Sequence, residues 1–142
     1  MINTLPLSAL QQMLEALPIR IFWKDRESRY LGCNQLFADD AGIADPAIFV
    51  GKTDFYFFPF HHAELYRFND AEVMHTGEPS TLEEQLTMPD GQVRWVRTHK
   101  APLRDSDGRV IGLIGVYEHI TEERRRLESM RREAIIGSEL SA

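Results

Sequence analysis

The first part of the chain alternates between helical and strand-like patterns. Leucines recur at spacings of three and four residues from Leu7 to Leu17, which predicts an amphipathic helix that ends before Pro18. Segments rich in β-branched and aromatic residues at 19–25 and 29–34 flank a short polar turn. This arrangement predicts a β-hairpin directly after the helix.

The middle of the chain is predicted to be helical. Asn34 can cap a short helix that ends at Gly42, and a helical turn follows at 44–49. A longer helix is predicted over 63–77. These pieces connect the first hairpin to the strands that come later.

Strand patterns dominate the last third of the chain. Segments 81–88 and 92–103 flank the Pro-Asp-Gly turn at 89–91, which favours a hairpin, and 109–120 forms the last strand. A highly charged helix is predicted to begin at 121. Five strands joined by hairpins and one helical crossover predict an α+β domain, in which an antiparallel sheet carries helices on one face.

Composition narrows the functional classes. The 142 residues suffice for one domain, and 43% of them are hydrophobic, which is enough for a core. A net charge of -6 argues against nucleic acid and against an anionic membrane as partners. No apolar stretch reaches the roughly 18 residues of a spanning helix. The single cysteine, Cys33, cannot form an internal disulfide, and together these features predict a cytoplasmic protein.

Four stretches, in this order and at this spacing, resemble a PAS domain: IFWKDRESRYLGCNQLF, GKTDFYFFP, TMPDGQVRWVRT and DGRVIGLIGVYEHITEE. The resemblance implies a five-stranded antiparallel sheet with strand order 2-1-5-4-3 and a small-molecule pocket between the sheet and the helices. The expected organisation is an N-terminal amphipathic helix at 1–17, the PAS domain at 18–121 and a signalling or linker helix at 122–142.

The resemblance also implies a function. PAS domains are sensory and dimerisation modules, so we expect a module of a bacterial signal-transduction protein, with a two-component sensor histidine kinase as the favoured effector in the same chain. A diguanylate cyclase or phosphodiesterase effector, and a ligand-free dimerisation scaffold, stay open as alternatives. The chain itself is not expected to be an enzyme, because it has no evident nucleophile–base pair, phosphate-binding glycine loop or metal-ligand set.

The end of the last strand is the expected signal relay. Relatives carry an Asp-Ile-Thr motif there, and the matching residues are His119, Ile120 and Thr121. No glycine or proline separates strand from helix, so a movement of the strand should move the helix rigidly. The histidine replaces an aspartate, and the contact made by that aspartate should be either absent or sensitive to pH.

Side chains alternate between the two faces of a strand, and this period predicts which residues face the pocket. On the long helix, Leu65, Phe68 and Ala71 are expected to face it. The strand residues expected to face it are Leu82, Glu84, Leu86, Val96, Thr98, Lys100, Leu113, Gly115 and Tyr117. Trp95, Arg97 and His99 then lie on the outer face, where the N-terminal helix is expected to cover Trp95.

Two interpretations of the charged pocket residues stay open. Glu84 and Lys100 could bind the polar head of a small organic metabolite, or they could form a salt bridge at the sheet rim. No cofactor is identified. Asp54 stands in the turn where flavin-adduct relatives carry a cysteine, and Phe68 matches a position where haem-binding relatives carry a histidine. The sequence therefore argues against both groups, and no metal site is predicted.

A homodimer through the N-terminal and C-terminal helices is the expected assembly. Ile120, Leu127 and Ala134 recur at seven-residue spacing, with Met130 between the last two. The heptads are few and Glu123 occupies one core position, so a solvated helix is the alternative. Neither nucleic-acid binding nor membrane insertion is predicted for this segment.

Overall fold

A computed structural model describes residues 6–141, with side chains as far as residue 139. The first five residues of the predicted N-terminal segment, and Ala142, lie outside this range. The helices are α1 (Leu7–Ala16), α2 (Gln35–Asp40), α3 (Asp54–Phe57), α4 (Phe60–Thr76) and α5 (Thr121–Ser141), with a 3-10 turn at Pro46–Phe49. The strands are β1 (Arg20–Asp25), β2 (Tyr30–Cys33), β3 (Ser80–Thr87), β4 (Val93–Arg104) and β5 (Val110–His119).

The five strands form one antiparallel sheet in the order β2-β1-β5-β4-β3, which confirms the predicted topology. Hairpins join β1 to β2, β3 to β4 and β4 to β5. The segment from α2 to α4 crosses from the β2 edge of the sheet to the β3 edge. The last strand therefore lies in the centre of the sheet, between β1 and β4.

The hairpin turn between β3 and β4 forms where the Pro-Asp-Gly sequence predicts it. Gly91 has a φ of 86°, a left-handed conformation that favours glycine. The amide of Met88 donates to the carbonyl of Gln92 at 2.7 Å, and the Asp90 carboxylate accepts from the Gln92 amide at 2.9 Å. These bonds fix the register in which β3 pairs with β4.

The core lies between the sheet and the helices and is largely aromatic. Phe37 packs against Phe22, Phe49 and Tyr117 at ring-centroid distances of 5.1–5.9 Å. Asn34 positions this cluster, because its side-chain oxygen accepts from the amides of Phe37 and of Ile21 at 3.1 Å each. The predicted cap of α2 is thus confirmed, and it also attaches the helix to β1.

The outer face of the sheet is covered by the C-terminal helix near Trp95. The Arg124 guanidinium of α5 lies 3.7 Å from the centre of the Trp95 ring. The prediction that the N-terminal helix covers Trp95 is therefore wrong. Helix α1 instead packs beside Asn34, whose Nδ2 donates to the Leu14 carbonyl at 3.1 Å. Within residues 6–141, no helix combines the length and hydropathy that crossing a membrane requires.

Candidate functional site

A partly open cavity lies between the inner face of the sheet and helices α3 and α4. Its volume is about 40 Å³, which is room for roughly two to four water molecules at about 10–15 Å³ each. The wall is built mainly from aromatic and charged side chains, and it consists of Phe22, Lys24, Tyr30, Phe37, Asp54, Phe58, Tyr66, Glu84, Leu86, Val96, Thr98, Lys100 and Tyr117.

Strand periodicity placed most of the expected strand residues correctly. The expected residues that line the cavity are Glu84, Leu86, Val96, Thr98, Lys100 and Tyr117. Leu113 is fully buried on the same face of the sheet but lies outside the cavity wall. At Gly115 an added Cβ would lie 2.1 Å from the Phe22 ring, so the missing side chain makes room for that ring. Leu82 pairs with Thr98 and so lies on the predicted face of the sheet, but at the sheet edge it is 41% exposed and lies outside the cavity wall.

The predicted cavity face of the long helix is wrong. Leu65, Phe68 and Ala71 lie on the solvent-exposed side of α4. The buried side carries Ala63, Asn69, Asp70, Val73 and Met74. The inward face mixes polar with apolar residues, because it has to neutralise charges that lie under it. Hydrophobic periodicity therefore could not orient this helix.

Four charged residues beneath α4 form what we call the buried charge cluster: Lys24, Asp54, Asp70 and Lys100. Each is at most 3% exposed. Lys24 Nζ donates to Asp54 Oδ2 at 2.6 Å and to Asp70 Oδ2 at 2.7 Å. Lys100 Nζ lies 2.8 Å from Asp70 Oδ1, within ion-pair distance but outside hydrogen-bond geometry. The cluster thus joins β1, α3, α4 and β4, and its two ammonium groups balance its two carboxylates.

Neighbouring charges in the cluster outweigh the effect of burial. Burial alone would lower the pKa of Lys24, but Asp54 and Asp70 raise it above its ordinary value. Burial alone would raise the pKa of Asp70, but Lys24 and Lys100 lower it. For Tyr30, burial and then the Asp54 carboxylate raise the pKa well above 10.0. Lys24 and Asp70 are therefore held in their charged forms beside the neutral phenol of Tyr30.

These shifts predict a loss of stability at both ends of the pH scale. Asp70 has a lowered pKa, so its contribution is present above the ordinary value of 3.8 and is lost as the pH falls below it. Lys24 and Tyr30 have raised pKa values, so their contributions are present below 10.5 and 10.0 and are lost as the pH rises. Urea unfolding at a series of pH values measures the loss of stability in the acid range and in the alkaline range. A free energy of unfolding that stays constant from pH 7 into the acid range would contradict the ionised cluster.

Glu84 and Lys100 do not form the predicted pair. Glu84 lies opposite Val96 in the β3–β4 register, whereas Lys100 lies opposite Ser80. Lys100 pairs with Asp70 instead. Across residues 6–141, the Glu84 side chain makes no hydrogen bond or ion pair, so it is a partly buried carboxylate on the cavity wall without a cationic partner.

The sequence interpretation missed Lys24, Asp70 and Tyr66. Lys24 follows Trp23 in β1 and precedes Asp25, so it resembles a surface residue, although its parity with buried Phe22 was a usable signal. For Asp54, the sequence comparison showed only that it replaces the cysteine of flavin-adduct relatives, and it did not predict the ion pair with Lys24. Tyr66 closes the cavity from α4, and its hydroxyl donates to the Gln85 carbonyl of β3 at 3.1 Å. No single-sequence signal identified this contact.

A second polar group connects the cavity to the strand–helix junction. Asp40, at the end of α2, accepts from the Tyr117 hydroxyl at 2.6 Å and lies 2.8 Å from His119 Nε2. Arg20 Nε donates to the same carboxylate at 3.0 Å. Burial raises the pKa of Asp40, but its bonds to His119, Tyr117 and Arg20 lower it overall. The junction histidine therefore makes a contact, and the sensitivity of that contact to pH stays a prediction.

A single residue, Ile120, separates the end of β5 from the start of α5, and the helix is attached to β4. The Trp95 amide donates to Thr121 Oγ1 at 2.9 Å, and the Ile120 amide donates to the Trp95 carbonyl at 2.9 Å. On the outer face, Arg97 bonds Glu123 at 3.0 Å. Ile120 is buried and has no glycine or proline beside it. The first turn of α5 is thus attached to the sheet by backbone, hydroxyl and ionic contacts.

The comparison with known proteins identifies the family. The sequence profile of the PAS fold matches residues 14–125, which is most of the chain, so this chain belongs to the PAS fold family.

Several sensor proteins are similar to the chain. The aerobic respiration control sensor protein ArcB of Escherichia coli is 26% identical over 88% of the chain. The virulence sensor protein BvgS of Bordetella pertussis is 28% identical over 87% of it, and the methanogenesis regulatory histidine kinase FilI of Methanothrix harundinacea is 29% identical over 86%. The matched regions span only 16%, 10% and 14% of these three relatives.

Solved structures agree with the family assignment. The chain superposes on VqmA of Vibrio cholerae, in a complex with ligand and DNA, with a TM-score of 0.76 at 27% identity, covering 84% of this chain and 53% of VqmA. The PAS domain of Bordetella pertussis BvgS gives a TM-score of 0.70 at 25% identity, covering 89% of this chain and 97% of that domain.

Proposed function

We propose that this chain is the sensory module of a bacterial signal-transduction protein, with a sensor histidine kinase as the favoured effector. In this proposal a small organic metabolite binds in the cavity, and α5 conveys its presence to an effector domain in the same protein. The similarity to ArcB, BvgS and FilI supports a role in sensing. We also propose that the module acts in the cytoplasm.

One observation carries the proposal: the charged cavity is lined by a residue of β5, the strand that continues directly into α5. Tyr117 of β5 lines the cavity, and Thr121 begins the helix. Three residues therefore separate the cavity wall from the helix. Because β5 is central in the sheet and Ile120 is buried, a shift at Tyr117 has no flexible segment to absorb it.

Ligand entry requires the cavity to expand on the α4 side. A volume of about 40 Å³ accommodates water but not a metabolite. Two bonds hold α4 on the sheet at this point: Tyr66 to the Gln85 carbonyl at 3.1 Å, and Lys100 to the Tyr66 carbonyl at 3.4 Å. We expect a ligand to displace Tyr66 and so to break both of these bonds, which would alter the packing of α4 on β3 and β4.

The Asp40 contacts offer a second route to the helix. Asp40 bonds both Tyr117, on the cavity wall, and His119, two residues further along β5. A ligand that moves the Tyr117 hydroxyl would redistribute the bonds of this carboxylate. In the proposal, this pair of contacts transmits the state of the cavity to the junction.

Assembly as a homodimer belongs to the same proposal. Leu127 and Met130 of α5 are 49% and 64% exposed, and Leu7 and Met13 of α1 are 71% and 53% exposed. Exposed apolar side chains at helical spacing support helix pairing in a dimer. Sedimentation of the chain at increasing concentration tests this, and a monomer at every concentration would favour a solvated helix.

The ligand proposal is tested by thermal shift with a panel of metabolites and by native mass spectrometry. We expect at least one compound to raise the melting temperature of the wild-type protein, because a ligand that binds only the folded state stabilises it. Val96→Phe, which fills the cavity, should remove the shift, whereas Val93→Phe, at a half-exposed site of the same strand, should retain it. If no compound binds, the small cavity favours the second candidate function, a ligand-free dimerisation scaffold.

A further inference from the structure

The charges on and directly beside the cavity wall do not balance. The wall carries two ammonium groups, Lys24 and Lys100, and two carboxylates, Asp54 and Glu84. A third carboxylate, Asp70, is buried beside the wall and lies within ion-pair distance of both lysines. Lys24 donates to Asp54 and Asp70, Lys100 pairs with Asp70, and Glu84 is left without a cation among the residues that the structure describes. These five side chains together therefore carry one surplus negative charge in surroundings that disfavour unpaired charge.

Aromatic rings form most of the remaining wall: Phe22, Tyr30, Phe37, Phe58, Tyr66 and Tyr117. Two of these rings already contact a cation, since Lys24 Nζ lies 4.6 Å from the centre of Tyr30 and 5.3 Å from that of Phe22. The faces of aromatic rings attract cations, and cages of such rings recognise organic ammonium groups. The wall is therefore suited to a positive charge.

The tyrosine at the mouth of the cavity reports the same electrostatic potential. Burial raises the pKa of Tyr66, and the charges of Glu84 and then Asp54 raise it further. For Tyr117, burial and then Asp40 raise the pKa. Both hydroxyls thus lie in negative potential. A negatively charged ligand would meet this potential without a free ammonium group to bind.

We infer that the cavity takes a small organic monocation, an amine on a compact apolar or aromatic body, with its charged nitrogen at Glu84. The inference rests on the proposed function, since it names the chemical class of the ligand for the same site. The amine supplies the missing positive charge to Glu84, its N–H groups donate to that carboxylate, and its body packs against Phe58 and Tyr66. An acceptor group on the ligand is not required, because Lys24 and Lys100 are already paired.

Three probes of similar shape and different charge test this inference: benzylammonium, benzyl alcohol and benzoate, titrated calorimetrically into the wild-type protein at pH 7. Benzylammonium should bind at least about tenfold more tightly than benzyl alcohol, because a charged hydrogen bond to a carboxylate exceeds a neutral one by that order. Benzoate should bind most weakly.

Two matched variants locate the effect. Glu84→Gln keeps the shape of the side chain and removes its charge, so it should weaken benzylammonium binding by about tenfold and leave benzyl alcohol unchanged. Glu72→Gln removes a carboxylate from the exposed side of α4, and it should change neither the binding of benzylammonium nor that of benzyl alcohol. Circular dichroism of both variants confirms that they are folded.

Each contrary result has a distinct meaning. The inference is overturned if benzoate binds as tightly as benzylammonium. It is also overturned if the Glu84→Gln variant binds benzylammonium as tightly as the wild-type protein does. If the metabolite panel yields a neutral or anionic ligand while benzylammonium does not bind, the inference fails and the sensory function stands. If nothing binds at all, both fail.

Discussion

Replacing Lys24 with methionine is expected to lower the free energy of unfolding by about 3–5 kcal/mol, because it leaves buried carboxylates without their cation. Asp54 and Asp70 are 1% and 0% exposed, and both lie within 2.7 Å of Lys24 Nζ. Lys100 would then have to neutralise the whole group alone. Urea denaturation followed by circular dichroism measures the change.

Two further variants separate the charge effect from a packing effect. Lys52→Met makes the same chemical change at a side chain that bonds the Ile48 carbonyl outside the core, and it should cost at most about 1 kcal/mol. The double variant Lys24→Met, Asp54→Asn restores a balance of one carboxylate to one ammonium group, and it should recover part of the loss. A double variant less stable than Lys24→Met alone would show that packing, not charge, dominates at this site.

Inserting Gly-Gly-Ser between Ile120 and Thr121 is expected to release α5 from the sheet. The insertion moves Thr121 away from the Trp95 amide and Arg124 away from the Trp95 ring. The freed helix is highly charged and loses the sheet contacts that stabilise its first turns, and in proteins such tertiary contacts supply most of the stability of a helix. Hydrogen exchange of amides 121–128 should accelerate at least about tenfold, while exchange in β1 and β5 is retained.

The same three residues inserted after Asp90, in the exposed β3–β4 turn, serve as the control. Loop length is tolerated there at small entropic cost, so α5 should keep its wild-type protection. If the insertion at 120 leaves the amides of α5 as protected as before, the helix does not depend on its direct continuation from β5.

Strand residues could be predicted from the sequence because hairpins fix their register. The Pro-Asp-Gly turn sets β3 against β4, and from there a period of two assigns Val96, Thr98 and Lys100 to the cavity face. Tyr117 follows, since it pairs with Thr98 across β4 and β5. The residues of the hairpin turn and the two-residue period of a strand were therefore sufficient to predict the strand residues of the site.

The helical half of the site could not be predicted in the same way. Asp70 is completely buried, yet in a sequence it is indistinguishable from an aspartate on a solvated helix face. Its burial depends on Lys24, 46 residues earlier, and on Lys100, neither of which is near it in the chain. The exposed Leu65 and Phe68 added a misleading apolar signal on the opposite side of α4. Long-range charge pairing, rather than hydrophobicity, orients this helix.

The central claim is that a ligand bound in the cavity changes the position of α5 on the sheet. The fluorescence of Trp95 tests this claim directly. Trp95 contacts Arg124 and Thr121 of the helix, and Trp23→Phe leaves it as the sole tryptophan. The compound that gives the largest thermal shift is titrated into this variant while binding is followed by calorimetry. The account predicts a change in Trp95 emission with the same midpoint as binding. Saturation of the cavity with unchanged Trp95 emission would contradict it.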